Sequence, residues 1–379
     1  MKKKVVILGS TGSIGKSLVN IILKDKKNFE VLLLTANKNY KELYKQSKLL
    51  NVKNLIITDL KGYNYLKNKN KKINIYNNYK NLNKILKNKI DYTMNSITGL
   101  DGLEPTLNII QKTKTIAIAN KESIICGWNL IKKKLKKYKT SFIPIDSEHF
   151  SIWSLIGNHD RKQIDKIYIT ASGGPFLNWP KKRIMKATPS KALKHPNWSM
   201  GKKISIDSAT MMNKGLELIE AFFLFDIPHN QIEVLVHPES IIHSCVEYVD
   251  GSVLSQMGTP DMRTPISYTL AYPTRISTNV ERLNLSKVGK LTFFPPCFDK
   301  FPCLSLAYES LKIQKSAPAV LNASNEVAVE AFLNNKIKFV SIPKIVEKTL
   351  NKTSFYELNS IQDVIKVDIE AREYASELI

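Results

Sequence analysis

The sequence predicts an α/β protein in which an N-terminal domain with a doubly wound parallel sheet precedes a mixed α/β domain and a helical C-terminal domain. Up to about residue 145 short apolar strands alternate with amphipathic helices, and beyond about residue 304 the pattern is helical. Such strand–helix alternation is typical of parallel sheets, because parallel neighbours need a crossover connection. We therefore expect domains at 1–145, 146–285 and 304–379.

Each predicted element is a short run with the period of a strand or a helix. The strands predicted in the N-terminal domain are 5–8, 31–34, 55–58, 73–76, 92–96 and 115–119, and a helix begins at Ser17. In the middle domain the predicted strands are 167–170, 233–236 and 244–248, and 209–225 is predicted as one helix. The predicted C-terminal helices are 317–334, 342–350 and 361–375.

The charge of the chain favours a small anionic substrate over a nucleic acid. The formal net charge is +24, and Arg provides only six of the 57 basic residues. Base readout and bidentate phosphate binding favour Arg, so we interpret the scattered lysines as solvated surface and expect no nucleic-acid partner. A positive field still attracts a small anion.

The chain contains no segment that predicts a membrane location. No apolar run approaches the roughly 20 residues of a membrane span. The apolar run that follows Lys2–Lys4 is too short for a signal peptide and is followed at once by glycine. We expect a cytoplasmic protein without a membrane partner.

The segment "GSTGSIG" (9–15) lies between a predicted strand and a predicted helix. This is the context of a dinucleotide site, where glycines admit the pyrophosphate to a helix N-terminus and Thr11 and Ser13 add hydroxyl donors. A plain glycine turn is the alternative. After the second strand Lys38 stands where NAD-type sites carry a carboxylate, which favours NADPH unless Lys38 is only a surface lysine.

The segment "PIDSEHF" (144–150) places Asp146 and Glu148 at the end of an apolar strand. Residues i and i+2 of a strand share a face, so the two carboxylates repel each other unless a cation lies between them. Mg²⁺ or Mn²⁺ suits such oxygen ligands. Two unrelated acids in a solvated loop are an equally good explanation of the spacing alone.

The segment "DSATMMNKGLELIEAF" (207–222) predicts a helix that carries a third acid. Ser208 suits the N-cap, and Asn213, Lys214 and Glu217 share one flank. Asn and Lys suit an anion, and either Glu217 or Glu220 suits a metal. The alternative is an ordinary surface pair of Lys214 with Glu217.

Two further segments lie in a long irregular stretch, 172–205. In "ASGGPF" (171–176) the backbone N–H groups and the Ser172 hydroxyl predict an anion site. In "HPNWSMG" (195–201) His195 and Trp198 lie in what we interpret as a lid loop, because long irregular segments of compact domains usually cover a site. A structural turn is the alternative for His195.

Taken together, these segments resemble the 1-deoxy-D-xylulose-5-phosphate reductoisomerase family. The resemblance extends over essentially the whole chain and rests on "GSTGSIG", "ANKES", "DSEH", "SGGPF", "HPNWSMG", "DSATMMNKGLE" and "PDMRTP" in that order. It implies a Rossmann-like NADPH-binding domain, a central catalytic domain with a mobile lid loop, and a homodimer. It also implies NADPH and Mg²⁺, Mn²⁺ or Co²⁺ as cofactors.

The activity that the resemblance implies belongs to the non-mevalonate isoprenoid pathway. Family members rearrange 1-deoxy-D-xylulose 5-phosphate and reduce the product to 2-C-methyl-D-erythritol 4-phosphate, with the metal polarising the carbonyl. A dehydrogenase without a metal is the nearest rival, but it would leave the three acids without a common purpose. A nucleic-acid-binding protein is a second rival, and the scattered lysines disfavour it.

The resemblance also implies a role for individual residues. The implied metal ligands are Asp146, Glu148 and Glu217, which selects Glu217 over Glu220. The implied substrate-binding residues are Lys121 and Ser147 near the metal, and Ser172, Ser208, Asn213 and Lys214 at the phosphate, with His195 on the lid. The implied cofactor contacts are Thr11, Gly12, Ser13, Ile14, Asn37, Lys38, Asn39, Asn120, Glu122 and Gly201. Asn37 departs from the family, which commonly has glycine there; since Asn tolerates positive φ, we expect the turn to survive.

Overall fold

The computed structural model describes residues 1–69, 72–198 and 200–379. These residues fall into two compact units. The first unit consists of Met1–Ser123, Trp128–Phe150 and Asp261–Val280, and the second of Ile124–Gly127, Ser151–Pro260 and Glu281–Ile379. The three domain ranges expected from the sequence stay predictions. The units differ from them, because 261–280 lies in the first unit, 124–127 lies in the second, and the predicted C-terminal domain shares the second unit with 151–260.

The first unit is built on a parallel sheet, as predicted. Its strands are β1 (Lys3–Leu8), β2 (Phe29–Ala36), β3 (Asn54–Ile57), β4 (Asn74–Tyr76), β5 (Ile90–Asn95), β6 (Thr113–Ile118) and β7 (Ser141–Pro144). They lie in the order β4-β3-β2-β1-β5-β6-β7. The order reverses at β1, and ligands of such sheets bind at the carboxyl ends of the strands beside that reversal.

An α-helix follows each strand of this sheet, and the last of these helices continues into the second unit. They are α1 (Ser13–Lys24), α2 (Tyr40–Leu50), α3 (Leu60–Lys69), α4 (Leu82–Ile85), α5 (Leu103–Ile109), α6 (Lys121–Tyr138) and α7 (Ser147–Ile156). In α1, Leu18, Val19 and Ile22 are buried, which is the i, i+1, i+4 spacing of one helical face.

The second unit contains a mixed sheet and the C-terminal helices. Its strands are β8 (Ile164–Ala171), β9 (Ile232–Val236), β10 (Ile242–Tyr248) and β11 (Val253–Met257), in the order β11-β10-β8-β9. The helices that follow β8 are α8 (Lys181–Ile184), α9 (Pro189–Ala192), α10 (Lys202–Ala209) and α11 (Met212–Phe225). After α12 (Arg263–Ala271) come α13 (Leu285–Val288), α14 (Pro302–Ile313), α15 (Ala317–Leu333), α16 (Ser341–Lys352) and α17 (Ile361–Glu377).

The predicted strands and C-terminal helices are confirmed, but two helix predictions are wrong. Helix α1 begins at Ser13 rather than at Ser17, and 209–225 is not one helix. The chain breaks between α10 and α11, where Met211 adopts the left-handed conformation with φ 61°. Ser208 is consequently not an N-cap; it lies inside α10, and the cap position of α11 is Met211. Met211 and Met212 are both buried, so packing holds a conformation that L-residues otherwise avoid.

Helix α12 returns the chain to the first unit after the second sheet is complete. Ile266 and Leu270 are fully buried in the same core as the residues of β1 and α1. The Tyr92 and Thr269 hydroxyls lie 3.1 Å apart, and Lys3 donates to the Leu270 carbonyl at 2.6 Å. Burial of this apolar face explains why a segment assigned by sequence to the middle domain packs on the first sheet.

Membrane spanning receives no support from the helices. In the described part of the chain, every helix is too short or too polar to cross a bilayer.

Leu270→Ala should destabilise the first unit although its sheet ends more than a hundred residues earlier. We expect a loss of about 2–5 kcal/mol in the free energy of opening, because a buried leucine leaves a cavity. Hydrogen exchange of the β1 and β5 amides measures this quantity. Leu285→Ala is the control, because Leu285 is 60% exposed. Equal exchange in the two variants would contradict the packing of α12.

Candidate functional site

In the glycine turn after β1, the first and third glycines are required by the fold, whereas the second has free space beside it. Gly9 has φ +76°, and a Cβ there would lie 2.7 Å from the Ser96 carbonyl oxygen. A Cβ on Gly15 would lie 2.5 Å from the Gly9 oxygen. A Cβ on Gly12 would meet nothing closer than 3.5 Å. Gly9 and Gly15 therefore shape the turn, whereas Gly12 keeps its outer side free for a ligand.

Neighbouring polar groups hold this turn in place. The Gly9 N–H donates to the Thr35 hydroxyl at 2.9 Å, and the Ser10 N–H donates to the Thr35 carbonyl at 2.9 Å. The Gln46 amide donates to the Ser10 carbonyl at 3.0 Å. Helix α1 starts at Ser13 after Gly12, which supplies no side-chain cap. The cap residue therefore offers the first-turn N–H groups no side-chain acceptor, and the anion site expected at this helix start stays a prediction.

The expected cofactor residues after β2 lie on the surface. Asn37, Lys38 and Asn39 are all exposed, and the Asn39 side chain accepts from the Glu42 N–H at 3.3 Å as the cap of α2. Positive φ occurs at Asn51 and other residues but not at Asn37, so no glycine is required there. The turn therefore forms with Asn37 because its backbone does not adopt positive φ, and the tolerance of Asn for positive φ is not needed.

Asn120 uses its whole side chain to shape a loop. Its amide nitrogen donates to the carbonyls of Ile97 and of Gly99, the latter at 2.7 Å, and its oxygen accepts from the Ser123 N–H. The side chain therefore fixes the loop after β5 and caps α6. Glu122, in the first turn of α6, is half-buried.

Asp146 and Glu148 do lie close together, but the predicted geometry was wrong. Strand β7 ends at Pro144, and Glu148 belongs to the first turn of α7, so the two residues do not share a strand face. Their carboxylate oxygens nevertheless come within 4.8 Å of each other. The Ser147 hydroxyl donates to Glu148 at 2.7 Å, and the Glu148 N–H to Asp146 at 3.3 Å.

Cationic groups beside Asp146 keep it ionised. Burial alone raises the pKa of a carboxyl group, but the Lys121 ammonium, which forms an ion pair with Asp146, and the His149 ring hold the Asp146 pKa well below its usual range. The His149 Nδ1 lies 3.7 Å from Asp146. The first unit thus presents two adjacent carboxylates that are suited to a hard divalent cation.

In the second unit His195 organises the Ser172 hydroxyl. The His195 Nδ1 accepts from the N–H groups of Asn197 at 3.1 Å and Trp198 at 2.9 Å. The neutral ring therefore carries its proton on Nε2, which lies 3.0 Å from the Ser172 Oγ. The Ser172 Oγ accepts hydrogen bonds from this Nε2–H and from the Gly174 N–H, so its own hydroxyl proton is free to donate to an anion.

His195 is neutral near physiological pH. Burial, followed by the nearby Lys214 ammonium, lowers the pKa of His195 to about 4. A neutral ring explains why the imidazole can both accept at Nδ1 and donate at Nε2. The two bonds at Nδ1 agree with the structural-turn alternative for His195, and the contact with Ser172 also links its ring to the predicted anion site.

Helix α11 carries the predicted cluster of Asn213, Lys214 and Glu217. The Asn213 amide and the Lys214 ammonium both donate to Glu217, across i,i+4 and i,i+3. Lys214 is 6% exposed and Glu217 is 2% exposed, so the alternative of an ordinary surface pair is wrong. Glu220 is buried too. Ser208, one helix earlier, is half-buried.

The segment predicted as a lid is held in place by hydrogen bonds of Asn197. The Asn197 amide donates to the Pro238 carbonyl and to the Ser240 hydroxyl, each at 2.8 Å. Trp198 is half-buried, with its ring centroid 6.3 Å from that of His243. Gly201 is exposed at the N-cap of α10, and Ser199 lies outside the described residues.

Two polar residues beside these groups were missed by sequence reasoning. His149 follows Asp146 by three residues at a helix start, and this spacing could have identified it. Thr35 is the last hydroxyl of an apolar strand, and its partner Gly9 lies 26 residues away. No spacing in the sequence predicts the contact of Thr35 with Gly9.

Comparison with known proteins gives matches over most of the chain. Models of the 1-deoxy-D-xylulose 5-phosphate reductoisomerase family match residues 5–127 and, for its C-terminal domain, 142–225. A model described as the DXP reductoisomerase C-terminal domain matches 257–374. Two curated relatives bear the family name. The one from Zymomonas mobilis is 46% identical over 100% of this chain and 98% of its own, and that from Pelagibacter ubique is 48% identical over 95% and 94%.

Solved structures agree in fold. The Zymomonas mobilis enzyme in complex with NADPH superposes with a TM-score of 0.94 at 45% identity, covering 100% of this chain and 99% of that one. A DOX-P reductoisomerase in complex with NADPH, fosmidomycin and magnesium gives a TM-score of 0.91 at 38% identity, covering 99% and 98%.

In the ligand-free protein His195 should titrate far below the ordinary range of a histidine. Because His195 has a pKa of about 4, its ring should stay neutral from pH 8 to pH 5 and gain its proton only below that. Its folded pKa lies below the unfolded value, so protonation should weaken folding as pH falls from about 6.5 to 4. Histidine NMR titration, with the resonance assigned by His195→Gln, measures this. A midpoint near 6.5 would contradict the buried, Nδ1-accepting ring.

Proposed function

Because the chain belongs to the 1-deoxy-D-xylulose 5-phosphate reductoisomerase family, we propose a role for each of its site residues in that family's reaction. The chain is an NADPH-dependent oxidoreductase that converts 1-deoxy-D-xylulose 5-phosphate to 2-C-methyl-D-erythritol 4-phosphate in the non-mevalonate isoprenoid pathway. The observation that carries this function is 46% identity over the full chain.

We assign the dinucleotide to the open side of the glycine turn. Gly12 leaves room for the pyrophosphate, and the α1 N-terminus offers N–H groups together with Thr11, Ser13 and Ile14. Lys38, beside Asn37 and Asn39, suits the 2′-phosphate because it is an exposed ammonium at the end of β2. The remaining contacts are assigned to Asn120, Glu122 and Gly201. NADPH supplies the hydride for the reduction.

We assign the divalent cation, Mg²⁺ or Mn²⁺ with Co²⁺ as a further candidate, to Asp146, Glu148 and Glu217. The donor set fits, because carboxylate oxygens are the ligands that hard cations prefer, and Asp146 and Glu148 approach each other closely enough to repel. The cation, when bound, polarises the substrate carbonyl. Lys121 keeps Asp146 ionised, and Ser147 orients the Glu148 carboxylate by its hydrogen bond.

We assign the substrate phosphate to Ser172, Ser208, Asn213 and Lys214. Support comes from the Ser172 hydroxyl, which His195 and Gly174 leave free to donate, and from Lys214, the buried ammonium on α11. Lys214 shares its charge with Glu217 in the second unit. When Glu217 serves as a ligand to the cation, more of that charge is available to the phosphate, so substrate and cation should bind cooperatively.

The phosphate takes no part in bond making, so its binding energy can be used for closure. The segment with His195 and Trp198 is the proposed lid, and His195 already contacts the phosphate-binding Ser172. Closing the lid over the reacting end excludes water and positions the carbonyl.

We further propose that the enzyme is a cytoplasmic homodimer. The contact surface is assigned to 233–257, where β11 is an edge strand with exposed Val253 and Leu254. An unpaired strand edge with apolar side chains favours association with a second copy.

Chelation should abolish turnover, and Mg²⁺ or Mn²⁺ should restore it. Asp146→Asn, Glu148→Gln and Glu217→Gln should each lower kcat/KM by about 100-fold or more, because several kcal/mol of charge stabilisation is lost. NADPH oxidation at 340 nm with deoxyxylulose phosphate measures the rate, and thermal melts check folding. Glu220→Gln is the matched control on α11. Full activity in excess chelator would overturn the metal assignment.

Gly12→Ala should separate cofactor binding from folding. The added methyl fits the free protein, where its nearest neighbour is 3.5 Å away, but it occupies the assigned pyrophosphate position. We expect at least about tenfold weaker NADPH binding, or about 1.4 kcal/mol, with an unchanged Tm. Gly15→Ala is the opposite case, because its methyl would overlap the backbone at 2.5 Å and should lower the Tm. Fluorescence titration with NADPH measures the affinity of each variant. An unaltered affinity in Gly12→Ala would refute the assignment of the pyrophosphate to this turn.

A further inference from the structure

A buried hydrogen bond joins the C-terminal helices to the helix that carries Ser208. The Asn325 amide on α15 donates to the Asp207 carboxylate on α10 at 2.8 Å, across 118 residues of sequence. Asn325 is fully buried and Asp207 almost so. A buried carboxylate needs donors to offset its desolvation, so this contact constrains the orientation of α10.

Ion pairs extend the contact toward the end of the chain. The Lys203 ammonium lies 3.2 Å from Asp207 and 3.8 Å from Glu326. Arg372 on α17 forms an ion pair with Glu326 and donates to Asp368 at 2.6 Å. Helices α15 and α17 therefore hold α10 by a charge network in which the Asn325–Asp207 contact is the most buried link.

The far side of α10 is fixed just as closely. A Cβ on Gly174 would lie 2.6 Å from the Ser208 carbonyl oxygen, so the turn that carries Ser172 packs directly on α10. Asp207 and Ser208 are adjacent in sequence. The end of α10 is thus held between the C-terminal helices and the Ser172 turn, and a shift of Asp207 also shifts Ser208.

We propose that Asn325 is a positioning residue for the substrate phosphate, acting through Asp207 to hold Ser208 beside Ser172. This inference rests on the proposed role of Ser208 in phosphate binding. It gives the C-terminal helices a part in substrate affinity through a residue that is fully buried and is not among those assigned to the phosphate.

The first test compares Asn325→Ala with Asn322→Ala. Both asparagines are fully buried on α15, but the Asn322 amide donates within its own helix, to Glu326 at 3.4 Å. Its removal leaves the Asp207 contact and the ion pairs of Glu326 with Lys203 and Arg372 in place. Asn325→Ala should raise the KM for deoxyxylulose phosphate about tenfold and leave kcat and the KM for NADPH within twofold. Asn322→Ala should leave all three within twofold. Equal KM values for the substrate in the two variants would overturn the inference.

A double-mutant cycle with Ser208→Ala separates the two proposals. Ser208→Ala should raise the KM for the substrate, and adding Asn325→Ala should then have little further effect, because the positioned hydroxyl is gone. If Ser208→Ala leaves this KM unchanged, the phosphate assignment itself fails. If Ser208→Ala raises it and Asn325→Ala acts to the same extent in both backgrounds, only the positioning role fails.

A charge swap keeps the test valid if the alanine variant does not fold. Asn325→Asp faces a second carboxylate toward Asp207 and should raise the substrate KM at least tenfold. Asp207→Asn keeps an acceptor for the Asn325 amide but loses the ion pair with Lys203, so it should raise the substrate KM less than Asn325→Asp does. The double variant Asp207→Asn with Asn325→Asp restores one donor and one acceptor and should recover most of the loss. A double variant no better than Asn325→Asp would overturn the inference.

Discussion

Charged side chains in the poorly solvated parts of both units need partners of opposite charge, and three ion pairs meet this need on helices that carry residues of the site. Lys121 faces Asp146 in the first unit. In the second, Lys214 faces Glu217 and Lys203 faces Asp207. A buried charge without a partner costs several kcal/mol, so each pair locks the helix that carries it. In the pairs Lys121–Asp146 and Lys214–Glu217, a bound cation can replace the ammonium as the partner of the carboxylate. A bound phosphate can likewise replace Glu217 as the partner of Lys214.

The fold was predictable where a local pattern decides it. The strands of the parallel sheet are short apolar runs, and the glycines after β1 indicate a turn. The strands and the turn could therefore be predicted from the sequence. The break between α10 and α11 could not, because nothing in "SATMMNKG" requires Met211 to adopt φ 61°. Packing of Met211 and Met212 in the interior imposes it. The return of α12 to the first unit is likewise a tertiary effect, since its apolar face fits several possible partners.

The site was predictable to the extent that its contacts are local. Asn213, Lys214 and Glu217 meet because helical spacing brings them together, and this follows from the sequence. Asp146 and Glu148 were paired for a wrong geometric reason, since the turn into α7 rather than a strand face brings them close. The contact of Asp207 with Asn325 could not be foreseen, because its partners are 118 residues apart.

The distribution of charge decides how the enzyme distinguishes its anionic substrate. The surface lysines create a positive field that speeds encounter with any anion, and salt screens this field over about 10 Å. At the assigned phosphate position the formal positive charge comes from Lys214, whose charge is partly offset by Glu217, while His195 is neutral. Discrimination there must therefore come from the placement of neutral donors such as the Ser172 hydroxyl. Placement is a property of packing, so the role proposed for Asn325 extends the determinants of substrate affinity to a fully buried residue of α15.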